Sequence, residues 1–168
     1  MTFREFVDKE RPTAEEIQGE VLHFIQSRKD VVLVGAWAVN AYVDEQRQTQ
    51  DVDLIAFDAQ DLIYKLKEHL HERLHIAVRV RKSVHGFRLY QIRAKGNRHL
   101  VDIRESKLPT NLFINGIPVV DINVLIEMKE ESAHDRGHKA KGKTDMADLI
   151  RLREVIKRNA GKGQKCKK

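Results

Sequence analysis

Residues 31–57, VVLVGAWAVNAYVDEQRQTQDVDLIAF, decide how the rest of the chain reads. Val31 to Val34 is an unbroken apolar run, as expected of a central strand covered on both faces. Gly35 then turns the chain into a helix through Tyr42. A glycine there lets backbone approach a ligand closely, and a helix start offers unpaired amides of positive polarity to an anion. A polar connector follows, and then a second strand carries Asp51 and Asp53. Residues i and i+2 of a strand point the same way, so the two carboxylates share a side of an otherwise apolar run of Val52, Leu54 and Ile55. Like charges so placed drive one group to protonate unless a cation sits between them. The pattern argues for a metal ion.

Working outward, Thr13-Ala14-Glu15-Glu16 has the form of a capping box opening a helix with Ile17, Val21, Phe24 and Ile25 on one side, ending near Arg28. Asp58 or Ala59 opens another helix, with Leu62, Ile63, Leu66 and Leu70 as its stripe. Residues 75–81, 84–93 and 98–104 alternate as three strands joined at Lys82-Ser83 and Lys95-Gly96-Asn97. The third delivers Asp102 between Val101 and Ile103, an acid costly to bury without a partner. Asn115-Gly116 marks a hairpin between residues 111–114 and 117–120. Asp121 caps a helix running to about Ala133, residues 131–142 read as an exposed mobile loop, and a last helix begins at Thr144. The expected architecture is α/β (α+β): a mixed, partly antiparallel sheet with flanking helices.

The 168 residues suit one domain over 1–156, with a loose segment at 1–12 and a basic flexible tail at 157–168. The single cysteine, Cys166, precludes an internal disulfide and suggests a reducing compartment. No apolar run approaches the roughly 20 residues of a membrane helix, and the first residues lack a signal-peptide core, so a soluble cytoplasmic protein without membrane contact is expected. The net charge of +6 is unevenly placed. Residues 73–101 hold eight cations and no acid, residues 157–168 hold six and no acid, and the remainder is left at −8. Such segments attract polyanions, RNA and tRNA among them.

The run Gly35-Ala36, helix, Arg47-x-Thr49-x-Asp51-x-Asp53 resembles the nucleotidyltransferase superfamily of polymerase-beta-like fold, closest to its abortive-infection and toxin–antitoxin group. Lys129, Arg136, Lys143-Thr144-Asp145 and Asp148-Leu149 resemble that group's C-terminal pattern. The resemblance implies transfer of a nucleoside monophosphate from a nucleoside triphosphate, such as ATP, to an acceptor hydroxyl on RNA, protein or a small molecule, as in toxin-type enzymes. It implies Asp51, Asp53 and Asp102 as catalytic ligands of two Mg2+ ions, and Gly35, Ala36, Arg47, Thr49 and Lys129 as contacts to the nucleotide. The family usually has Gly or Ser after the glycine. Ala36 removes that group, which favours an alternative: a non-catalytic module of the same fold binding nucleic acid or a partner protein.

Other motifs fare worse. His71-Glu72-Arg73-Leu74-His75 matches the zinc-protease pattern, but the residues that follow alternate as a strand. Glu127-x-Lys129 mimics a nuclease pair, yet falls in a helical pattern instead of a strand. His134 and His138 read as surface residues, and Trp37 as packing.

Overall fold

The computed structural model describes residues 11–137 and 139–165. The expectations for residues 1–10, for His138 and for Cys166 fall outside them. The elements are α1 (Ala14–Ile25), β1 (Val31–Val34), α2 (Gly35–Tyr42), β2 (Val52–Ala56), α3 (Ala59–Leu74), β3 (Val78–Ser83), β4 (Gly86–Gln91), β5 (Arg98–Glu105), β6 (Asn111–Ile114), β7 (Ile117–Val120), α4 (Ile122–Arg136) and α5 (Ala140–Lys165). Among the described residues these make five helices and one seven-stranded sheet of order β3-β4-β5-β2-β1-β7-β6. β2 runs parallel to β5 and β1 parallel to β7, and the other neighbours are antiparallel. The α/β class with a mixed, partly antiparallel sheet is as expected.

Local chemistry explains most boundaries. Thr13 and Glu16 form the full capping box of α1, each side chain bonded to the other's backbone amide. Asp58 caps α3 through the Asp61 amide, and Asp121 caps α4 through that of Asn123. Asn115 and Gly116 both take positive φ, 51° and 79°, the geometry of a two-residue hairpin turn. β1 is buried at every position, as a central strand should be. No helix of the described residues is long and apolar enough to cross a membrane.

Four expectations are corrected. α1 stops at Ile25, a turn before Arg28. The first hairpin turns at Val84-His85, with Ser83 paired to Gly86, instead of at Lys82-Ser83. Gly86 sets that register, because a Cβ there would overlap the Ile103 carbonyl oxygen of the neighbouring strand. Residues 131–142 are not a loop. α4 continues to Arg136, Gly137 turns the chain at φ 47°, and α5 begins at Ala140. The polar residues that suggested a loop are the solvent side of a helical hairpin, and Gly142 packs where a Cβ would meet the Gly137 carbonyl oxygen. Finally, the basic run from Lys157 continues α5 as helix to Lys165.

Sheet and helices meet in one apolar core that includes Ile17, Leu33, Leu54, Leu66, Leu89 and Ile103, all essentially unexposed. α3 packs on β3, β4 and β5, while α2 packs on β1, β2 and β7 and also touches α4 and α5.

Candidate active site

Parallel pairing of β2 with β5 places Asp53 directly opposite Asp102. Side chains at paired positions of neighbouring strands project to the same side of the sheet, so the third carboxylate joins the first two. Val34 pairs with Asp53 from the other side, which brings Gly35 against it. Gly35 has φ +66°, and a Cβ on it would overlap Asp53 Oδ2 and lie 3.0 Å from its Cβ and Cγ. Only glycine fits there. The first turn of α2 has no side-chain cap, which leaves its amides free for another acceptor.

Two of the three acids have side-chain partners of their own. Asp51, just before β2, lies 3.5 Å from His99 Nδ1, and Asp102 accepts a hydrogen bond of 3.0 Å from Arg88 Nε. Asp53 has neither hydrogen bond nor ion pair with any described residue. Burial, then the charges of Asp51 and Asp102, push its carboxyl up to about 7, against the opposing pull of Lys129 and Lys141. Among the described residues no three acid, histidine or cysteine side chains stand close enough to enclose a metal ion. The donor chemistry nevertheless fits a hard cation: two carboxylates in register on adjoining strands and a third just before β2, the innermost without an ion-pair partner among the described residues.

The connector before Asp51 is tied down from three sides. Asn40 of α2, 3 % exposed, donates to the Arg47 carbonyl and accepts from its amide. Gln18 of α1 donates to the Thr49 carbonyl at 2.7 Å. Arg47 makes a two-pronged pair with the fully buried Asp148, at 3.0 and 2.9 Å. Thr49 Oγ1 donates to the Asp51 carbonyl.

Lys129 lies behind this, 3.0 Å from both Asp145 and Asp148, with Arg136 3.5 Å from Asp145. Burial raises Asp148, but hydrogen bonds from Arg47 and Lys129 outweigh it and hold the carboxyl below the usual range. The structure therefore brings together Gly35, Ala36, Asp51, Asp53 and Asp102, and engages Arg47 and Lys129 with α5 carboxylates. The sequence reading does not single out Asn40, Gln18, Arg88 or His99 as site residues. Asn40, a polar residue inside the apolar run AWAVNAY, was the one visible signal. The two histidines of the zinc-protease pattern part company, since His75 ends α3 at φ 53°. Trp37 packs on the core.

No family model matches the sequence, and no curated protein matches it. Solved structures do. The Megavirus polyadenylate synthase superposes with TM-score 0.62 at 18% identity, covering 93% of this chain and 36% of that one. An antigenic nucleotidyltransferase-like protein from Paracoccidioides brasiliensis gives 0.53 at 18%, covering 82% and 75%. ANT(2'')-Ia, solved in complex with adenylyl-2''-tobramycin, gives 0.54 at 12%, covering 84% and 86%. The chain thus spans about a third of the length of the viral synthase. At these identities the likeness is one of fold, and the fold is that of nucleotidyltransferases.

Proposed function

We propose that this chain transfers a nucleoside monophosphate from a nucleoside triphosphate to an acceptor hydroxyl in a metal-dependent reaction. The observation that carries this reading is Asp53: an acid without a counter-charge, in register with Asp102 and pressed against the glycine that opens α2. Asp51, Asp53 and Asp102 would hold two magnesium ions, whose chemistry when bound is to acidify the acceptor hydroxyl and offset charge on the leaving group. The acceptor oxygen forms a bond to the α-phosphorus as the bond to pyrophosphate breaks, and Asp102 accepts the hydroxyl proton. The uncapped amides after Gly35 and Ala36 receive the β- and γ-phosphates. Thr49 and Arg47 lie on the connector beside the nucleotide, and Lys129 adds positive charge behind it. A toxin-type role rests on the sequence resemblance alone.

A second reading is a non-catalytic module of the same fold. Ala36, and the absence of three ligands gathered around one point among the described residues, favour it. The test is incubation with each labelled nucleoside triphosphate and magnesium, with total RNA and with protein extract, using Asp53→Asn as control. Label transferred by the wild type and not by the variant supports the enzyme. Absence of both label transfer and magnesium-dependent triphosphate binding would leave the module.

A further inference from the structure

The sheet face that carries Asp53 and Asp102 continues past them with a different character. The register runs Asp53, Asp102, Arg88, Arg81 across β2, β5, β4 and β3, so all four side chains project to one side. Arg79, paired with Tyr90, lies on that side as well, and so does Arg104, paired with Gly86. The helix packed on these three strands is α3, and it covers the opposite face, where Leu89, Val101 and Ile103 are buried. Arg79, Arg81, Arg88 and Arg104 are exposed, and Asp102 is the one acid of β3, β4 and β5 on this side.

A bulge adds flat groups to the charge. The register of β4 with β5 slips between Leu89 and Tyr90, so that Val101 and His99 face consecutive residues of β4 and Leu100 is left over. Regular alternation would put His99 on the side opposite Asp102. The slip returns it, and its ring stacks on Tyr90 at 5.0 Å and 29°. The Arg81 guanidinium lies over the same Tyr90 ring at 5.6 Å.

We propose that this face of β3, β4 and β5 seats a single-stranded nucleic acid, with the strand crossing Arg79, Arg81 and Tyr90 and its terminal hydroxyl arriving at Asp102. The placement of the hydroxyl rests on the transfer reading above, whereas the binding does not. Closely spaced arginines suit successive phosphates, and a tyrosine–histidine stack beside a guanidinium suits unpaired bases. Two strand spacings separate Asp102 from Arg81, about 10 Å, room for the two or three stacked bases that a sheet platform accommodates. An acidic protein or an anionic membrane would use the arginines but has no need of the ring stack.

The test is fluorescence anisotropy of a labelled single-stranded RNA 12-mer in EDTA, with wild type, Arg79→Glu, Arg81→Glu, Tyr90→Ala and Tyr90→Phe, each checked for unchanged melting. Binding should weaken with salt and fall at least about tenfold in each charge reversal. It should fall about 5- to 150-fold in Tyr90→Ala and be restored in Tyr90→Phe. Single-stranded DNA that binds as well also supports the proposal. Absence of binding, equal binding by Tyr90→Ala, tighter binding of the matching duplex, or equal displacement by polyglutamate would overturn it. Oligonucleotide binding without any label transfer would sink the transfer reading and leave this surface standing. Transfer to a small acceptor without oligonucleotide binding would do the reverse.

Discussion

Gly35 and Asp53 occupy one another's space so closely that the glycine has no room for a Cβ beside the carboxylate. The same glycine holds φ at +66° and starts α2. One residue therefore sets the helix start and the position of the innermost acid. Gly35→Ala should cost about 1–2 kcal/mol from left-handed backbone alone, and should displace Asp53. Urea denaturation and label transfer check this. Wild-type stability together with wild-type transfer would contradict the steric argument.

Asp53 predicts how stability depends on pH. Burial and the charges of Asp51 and Asp102 raise its folded carboxyl to about 7, against about 3.9 unfolded. Between those values the folded state holds a proton that the unfolded state has lost. This contribution is therefore fully present below pH about 4, declines as pH rises to about 7, and then levels off. Asp53→Asn should flatten that decline, melt at or above the wild-type temperature at pH 8, and transfer no label. A large loss of stability in this variant would mean that the carboxylate is structural.

Magnesium should act on the same group with the opposite sense of pH. At pH 8 Asp53 is ionised, and a cation bound only by the folded state stabilises it by about 2.7 kcal/mol at a hundredfold excess over its Kd. At pH 5 protons compete for Asp53 and the gain should shrink. Calorimetric scans with and without magnesium at the two pH values test this, with Asp53→Asn expected to show little gain at either. An equal magnesium effect in wild type and variant would place the cation elsewhere.

Lys129 separates two roles. Its amine lies 3.0 Å from both Asp145 and Asp148, and it is 8 % exposed. Lys129→Met leaves these carboxylates with fewer counter-charges and should destabilise the fold by about 3–5 kcal/mol, read by urea denaturation. If instead the variant keeps its stability and only its KM for triphosphate rises, the lysine serves the nucleotide directly.

Much of the fold was legible from local chemistry. The capping box at Thr13, the turn at Asn115-Gly116 and the strand–glycine–helix run from Val31 each follow from a few adjacent residues, and each stands where expected. Residues 131–142 misled because a solvent-facing helical hairpin and a loop share a polar composition. What makes them helix is contact between α4 and α5 through Lys129, Arg136 and Asp145.

The sequence alone determined most of the elements outside residues 131–142 and the placing of Asp51 and Asp53 two residues apart where a strand begins, since period-two alternation and turn chemistry act over a few residues. Only the tertiary structure decided that Asp102 stands beside Asp53, that a slipped register returns His99 to their face, and that Arg47 and Lys129 meet on Asp148. Strand order and register are set by pairing between segments far apart in the chain. A single-residue shift there moves a side chain to the other face, which no local pattern records.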